Sequence, residues 1–332
     1  MRFLKSMRFL KSTLILTSLL AALAASDRPG AAAGYPAGVV KIVVPYPAGG
    51  PGDFTARVLA QKLSEKLGGT FIVENLPGAG GAVGTTAVAR APADGQTIVL
   101  VVQDFVIAPI VKTNVAFDPF KSFTPVIKVA AAPEMFSVNP LVPATNMNEL
   151  LQLLKANPGK YNYATPGYAT SPHLYSEWLF KLTYGLDVQN VPFQGAQPAV
   201  QATVAGQTQI LPITVTAVAP FIKDGKLRGL AVAGHARSPV VPDVPTLEEQ
   251  GIKGREVAFW IGALVPAGTP AAIVELLHDR IAEIMAQPDV KERFAALGFA
   301  PATGTSAEFA TFLKSESDLW KKIVDDARIQ IN

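Results

Sequence analysis

Cysteine is absent from the 332 residues, which excludes disulfides, thiolate metal centres, cysteine nucleophiles and a lipoprotein acylation site together. Histidine is nearly as scarce. His173, His235 and His278 lie far apart without HExxH-type spacing, so a histidine-held metal is not expected. No G-x-S-x-G elbow occurs. Charged residues make up 17% of the chain, and acid pairs such as Glu248/Glu249 and Asp325/Asp326 fall on expected helix surfaces, where carboxylates are ordinarily solvated. No catalytic residue, metal or cofactor is expected. Dense basic clusters are missing as well: four of the 29 Lys and Arg (Arg2, Lys5, Arg8, Lys11) fall in the first dozen residues, leaving 25 against 26 acids. Without a basic stripe to displace phosphate counterions, nucleic acid is not a partner.

What is present begins with a leader. The four basic residues precede an uncharged run at 14–25, followed by small-residue sites at Ala22-Leu23-Ala24 and Ala31-Ala32-Ala33, the layout of a cleavable secretory signal peptide spanning 1–33. The run is short of the roughly 20 residues that span a bilayer, and no later apolar run approaches that length. Export to the periplasm is expected. The hexamer at 1–6 recurs at 7–12, without structural consequence if the leader is removed.

Beyond it, strands and helices alternate. An apolar β-branched run at 39–44 leads into Tyr46-Pro47-Ala48-Gly49-Gly50-Pro51-Gly52-Asp53 and a helix from Phe54 to the stop at Gly68-Gly69, with Asp53 expected as its N-cap. The unit repeats: a strand at 70–73, a glycine-rich loop at 75–84, a helix at 85–91 and a third strand at 97–102. A second series begins near Phe136, with a helix capped by Asn146 and Glu149, strands at 161–164, 188–191, 210–215 and 227–233, and helices at 172–182 and 198–205. A strand at 257–265 and helices near 270–285, 290–297 and 306–329 close the chain. This pattern predicts an α/β protein of two domains, each a mostly parallel sheet flanked by helices.

The glycine loops carry the functional signal. Gly78-Ala79-Gly80-Gly81-Ala82-Val83-Gly84 follows a strand and opens a helix, with Asp104 about 20 residues on. The third glycine nevertheless misses the G-x-G-x-x-G register, and an export signal argues against a nicotinamide enzyme. Each loop alone also fits glycine serving a tight βα turn. Two such loops at the C-terminal ends of strands, each feeding a helix, instead suit an anion held by backbone N–H groups. A third loop, Thr165-Pro166-Gly167-Tyr168-Ala169-Thr170-Ser171, adds hydroxyls that equally serve as helix caps. None of the three contains Lys or Arg, so neutral donors are expected to do the neutralising.

The segments V-P-Y-P-A-G-G-P-G-D-x-x-A-R at 44–57, V-E-N-L-P-G-A-G-G-A-V-G at 73–84 and D-G-Q-T at 94–97 resemble the Bug-type periplasmic solute-binding proteins of tripartite tricarboxylate transporters. The likeness continues through 165–173, Val191-Pro192-Phe193-Gln194-Gly195, Gly225-Lys226-Leu227-Arg228, 241–246 and Pro266-Ala267-Gly268-Thr269-Pro270, covering nearly the whole mature chain in order. The resemblance implies a two-domain, hinge-closing (Venus flytrap) receptor that acts as a monomer, binds a small organic carboxylate and delivers it to a membrane permease. It implies domain 1 at 35–135 plus 257–332 and domain 2 at 136–256. By position, one carboxylate is gripped by Tyr46, Ala48, Gly49, Gly50 and Asp53 with Pro77, Ala79, Gly80 and Gly81. The remainder is read by Thr165, Gly167, Thr170, Ser171, His173, Phe193 and Gln194, with Trp260 and Gly262 near the hinge.

Departures bear on the ligand. Pro51-Gly52 stands where many relatives have Gly-Thr, Leu76 replaces a common Arg, and 209–214 lacks the Asp that relatives often carry there. If that Asp receives an amine, its absence speaks against an amino-acid ligand. Tyr46, Tyr168, Phe193 and Trp260 suit an aromatic mono- or dicarboxylate. A secreted enzyme using Asp53 or His173 as base, or a module whose closed form docks on a membrane sensor, are the other readings of the same cleft.

Overall fold

In the computed structural model, which describes residues 34–112, 115–252, 257–302 and 304–327, a β-branched segment at Val39–Val44, buried from Ile42 onward, forms β1. The expected leader lies outside the described residues. Strand β2 (Thr70–Asn75) and β3 (Thr97–Val101) flank β1 and run parallel to it. Helix α1 (Pro51–Leu67) returns from β1 to β2, and α2 (Ala82–Ala89) returns from β2 to β3. The start of α1 differs from expectation. Its N-cap is Gly50 rather than Asp53, because Pro51 suits the first turn and Asp53 falls inside it. At the other end Gly68 adopts φ +67°, the left-handed stop.

A 16-residue strand, β4 (Phe123–Val138), organises the rest. Its first part pairs antiparallel with β9 (Ala258–Pro266), from Phe123 opposite Pro266 to Pro133 opposite Ala258, and β9 pairs in turn with β3. One residue further on its partner changes: Glu134 stands opposite Thr214 of β7 (Ile210–Thr214), and β8 (Arg228–Val232) takes the other side. Beyond β7 lie β5 (Asn162–Thr165) and β6 (Gln189–Pro192), giving the order β2-β1-β3-β9-β4-β7-β5-β6, with a short β10 (Ala300–Pro301) also on β4. The parallel expectation holds within β1–β3 and within β5–β7. The sheet as a whole is mixed because β4 and β9 run antiparallel to their neighbours.

Two helices stand where sequence periodicity gave no helix. α3 (Asp104–Val111) and α7 (Val215–Lys223) are short, mostly apolar and interrupted by Pro109 and Pro220. Their burial on several sides, as with Phe105, Val106 and Ile107, removes the polar face that would have marked them. The remaining helices are α4 (Met147–Ala156), capped by the Asn146 side chain accepting from the Glu149 amide, α5 (Ser171–Ser176, continuing in a π-helical stretch to Thr183) and α6 (Ala196–Val204). α8 (Ala271–Ala286), α9 (Pro288–Ala296) and α10 (Ser306–Ala327) complete the set.

α10 packs on β9 through aromatic rings: Phe309 and Phe312 meet the Trp260 indole edge-on, with centroids 5.9 and 5.6 Å away. Gly262 makes this approach possible, since a Cβ there would lie 2.1 Å from Phe309 Cζ. Gly262→Ala is therefore expected to overpack this interface at a cost of about 1–3 kcal/mol. The measurement is thermal unfolding, with a drop in melting temperature of roughly 2–10 °C.

Candidate functional site

Six strand ends converge on one edge. The loops after β1, β2 and β3 and those after β5, β6 and β7 line a cavity of about 580 Å³, at the carboxyl edge where open α/β sheets bind ligands.

In the first loop, Asp53 works as an organiser. Its Oδ2 accepts from the Gly49 amide at 3.0 Å, and Arg57 donates to both carboxylate oxygens, Nε to Oδ2 and Nη2 to Oδ1, each at 3.0 Å. Burial pushes this carboxyl upward, but hydrogen bonds from Arg57, the Gly49 amide and Asn75 outweigh it and hold it below the ordinary aspartate range. Gly49 itself sits at φ +85°, a left-handed conformation that favours glycine. Asn75 Nδ2 also donates to the Tyr46 carbonyl, tying the loop to β2.

The second loop turns through four successive positive φ angles at Gly78, Ala79, Gly80 and Gly81. Gly81 lies against Tyr46, where an added Cβ would stand 3.0 Å from the phenol oxygen. Tyr46 thereby joins the two loops, and burial together with the nearby Asp104 charge raises its phenol well above its usual pKa. A cation lies closer than the loop sequences suggested. Lys112, at the end of α3, donates from Nζ to the Ala79 carbonyl at 2.7 Å.

Of the expected residues, Tyr46, Ala48, Gly50, Asp53, Pro77, Ala79, Gly80, Gly81, Thr170, Ser171 and Gln194 stand on the cavity wall. Gly49, Thr165, Gly167, His173 and Phe193 stand behind it and shape the loops. Thr165 Oγ1 donates to Asn190 Oδ1, Thr170 Oγ1 donates to the Gly167 carbonyl, and the Phe193 amide donates to the Thr165 carbonyl. His173 Nδ1 accepts from the Ala169 amide at 3.1 Å, and burial lowers this imidazole's pKa despite the opposing charge of Glu177. Trp260 is fully buried, its Nε1 donating to Glu316.

Sequence reasoning expected Ser171 but missed its partners Gln103, Asp104 and Glu134 in a buried polar group on the cavity wall. Gln103 caps and Asp104 starts α3, just beyond β3, Ser171 starts α5, and Glu134 marks the partner change of β4; all four line the cavity. Gln103 Nε2 donates to Ser171 Oγ at 2.6 Å and to Glu134 Oε1 at 3.2 Å, and Ser171 Oγ donates to the same Oε1 at 3.2 Å. The Trp260 amide donates to Gln103 Oε1 and fixes the orientation of that amide group, while the Ser171 amide donates to Asp104 Oδ1 at 3.3 Å. Burial raises Asp104 to about 7 against the Ser171 hydrogen bond and the Lys112 charge. Burial also raises Glu134 to about 8, with the Asp104 charge adding to it and the Ser171 and Gln103 hydrogen bonds opposing. The available signal was a lone acid inside the apolar stretch 129–138. Among the described residues no group of His, Asp and Glu could hold a metal ion.

The fold and the cleft at its strand ends are those of a two-domain periplasmic binding protein, α/β in each domain. The chain matches the family described as Tripartite tricarboxylate transporter family receptor (TctC) over residues 55–329, and it belongs to that family. It is 33% identical to BugT of Bordetella pertussis over 301 residues, covering 89% of this chain and 91% of BugT. The structure of the periplasmic binding protein BugD is similar at a TM-score of 0.83, with 34% identity over 89% of this chain and 99% of BugD. MatC from Rhodopseudomonas palustris, solved with bound malate, aligns at 0.82 with 30% identity, over 87% of this chain and 100% of MatC. No helix among the described residues is long and apolar enough to cross a membrane.

The two raised acids set a pH dependence. Unfolded Asp and Glu titrate near 3.9 and 4.3, so between about pH 4 and pH 8 the native protein retains protons that the unfolded chain has lost. The resulting penalty is absent below about pH 4, grows as pH rises, and is complete above about pH 8. Ligand-free wild type is expected to lose more melting temperature between pH 6 and pH 8.5 than Glu134→Gln, which carries no titrating group there. Equal slopes by differential scanning calorimetry would contradict the assignment.

Proposed function

We propose that this chain is a periplasmic receptor that captures a small organic carboxylate between two lobes and hands it, chemically unchanged, to a tripartite tricarboxylate-type membrane transporter. One observation carries the reading: two glycine loops with positive-φ backbone meet at one cavity whose described lining contains no Lys or Arg. Backbone of that kind lets main-chain N–H groups approach an anion closely, with helix N-termini adding favourable potential. In this reading the carboxylate lies across Ala48–Gly50 and Ala79–Gly81, and Thr170, Ser171 and Gln194 contact the rest of the ligand. Tyr46 and Phe259, both on the wall, suit an aromatic or aliphatic body, mono- or dicarboxylic. Malate in MatC supports the carboxylate class.

The lobes are residues 35–135 plus 257–332 and residues 136–256, parting where β4 leaves β9 for β7. A ligand that contacts both lobes favours the closed form, because only that form makes both sets of contacts. A micromolar dissociation constant corresponds to about 8 kcal/mol, within reach of several charge-assisted hydrogen bonds at roughly 1.5–3 kcal/mol each before ordering costs. The receptor works as a monomer. An enzyme with Asp53 or His173 as base fits less well, since the first is locked to Arg57 and the second is spent on the Ala169 amide.

Refolded protein screened against aliphatic and aromatic carboxylates tests the reading. A ligand at 100 times its dissociation constant stabilises by about 2.7 kcal/mol, visible as a clear thermal shift. Ala48→Trp fills the exposed wall of the first loop and is expected to weaken that ligand at least about tenfold while leaving ligand-free melting nearly unchanged. Chemical conversion of the bound carboxylate, or undiminished affinity in the variant, would overturn the proposal.

A further inference from the structure

Glu134 is 3% exposed, lines the cavity and stands opposite Thr214 at the partner change of β4. Its Oε1 accepts from Gln103 and Ser171, whereas Oε2 is buried without a hydrogen-bond partner in the protein. Buried polar atoms are nearly always partnered, so an orphaned carboxyl oxygen on a ligand cavity calls for a partner from the ligand, a donor once the carboxyl is ionised. The charges on the wall point the same way. Its described acids are Asp53, Asp104 and Glu134, with no Lys or Arg among the lining residues. Arg57 neutralises Asp53, and Lys112 is engaged at the Ala79 carbonyl. Asp104 and Glu134 therefore face the cavity with no basic side chain on its wall, although the Lys112 charge partly offsets Asp104.

Resting on the receptor reading and narrowing its ligand, we infer that the cavity takes a monocarboxylate carrying a nitrogen donor at its far end, an ammonium or amide N–H received by Glu134 Oε2, in preference to a dicarboxylate. Above about pH 8, where both acids are ionised, a second ligand carboxylate at that end meets two negative charges, a like-charge contact in a desolvated site. An ammonium there offsets the buried acids instead. The surrounding groups agree. Asp104 approaches from α3 and the Tyr46 phenol from the first loop, neither of them cationic, while His173 is held behind the wall by the Ala169 amide. Burial is the main cause of the raised proton affinity of both acids, and at Glu134 the Asp104 charge adds to it.

Isothermal titration at pH 8.5 of refolded wild type and Glu134→Gln against two matched sets tests the inference: glutarate with 4-aminobutanoate and 4-carbamoylbutanoate, and terephthalate with 4-aminobenzoate and 4-carbamoylbenzoate. In wild type a nitrogen-bearing member of at least one set is expected to bind about tenfold or more tightly than its dicarboxylate, a gap of about 1.4 kcal/mol. In Glu134→Gln that preference is expected to fall below about threefold. The wild-type comparison stands even where the variant fails to fold. A dicarboxylate that binds as tightly as its nitrogen-bearing partners, a preference that survives Glu134→Gln, or binding confined to dicarboxylates overturns this inference and leaves the receptor reading intact. Absence of binding by any carboxylate, in this panel and in the wider thermal screen, overturns both.

Discussion

The change of partner along β4 is the constraint on which the rest of the structure depends. Up to Pro133 the strand is satisfied by β9, and from Glu134 onward by β7 and β8. A backbone that must keep its ladder hydrogen bonds cannot leave one neighbour without meeting another, so both halves of the sheet are anchored to a single continuous strand. Their carboxyl ends consequently open onto one cavity. Glu134 stands at that junction, which explains how a carboxyl group comes to lie inside a mostly apolar strand.

Around it the polar groups form one connected set. Gln103 is oriented by the Trp260 amide and donates to Glu134 and to Ser171 at the start of α5. Such networks are rigid when every member is satisfied and costly when one is not. Here the set is complete except at Glu134 Oε2. The glycine loops show the complementary arrangement, in which side chains are removed so that the backbone itself faces the cavity, and Asp53 with Arg57 holds the first loop in shape from beneath. The site thus combines backbone-built loops with buried acidic side chains on one cavity wall.

The fold also separates shaping residues from wall residues within a single motif. Thr165, Gly167 and His173 stabilise the turn that presents Thr170 and Ser171, although all five stand within nine positions of one another. Loop hydroxyls alternate between capping the chain and facing the cavity, and spacing alone does not distinguish the two roles.

Much was legible from the residues themselves. The β-branched run at Val39–Val44, the glycine loops, the Asn146 cap and the parallel βα units follow from local chemistry: side-chain branching, missing Cβ atoms and short polar side chains act on their own neighbours. Family membership was legible for the same reason, because the loop motifs are contiguous. The helices at Asp104–Val111 and Val215–Lys223 escaped, as did the start of α1, since burial on several sides erases periodicity and a proline in the first turn moves a cap by three residues. The meeting of Gln103, Asp104, Glu134 and Ser171 was decided by tertiary structure alone. Residues as far as 68 positions apart in the chain come within hydrogen-bonding distance only when β3, β4 and α5 are packed together, and no local preference of an isolated acid in an apolar strand announces which partners it will meet.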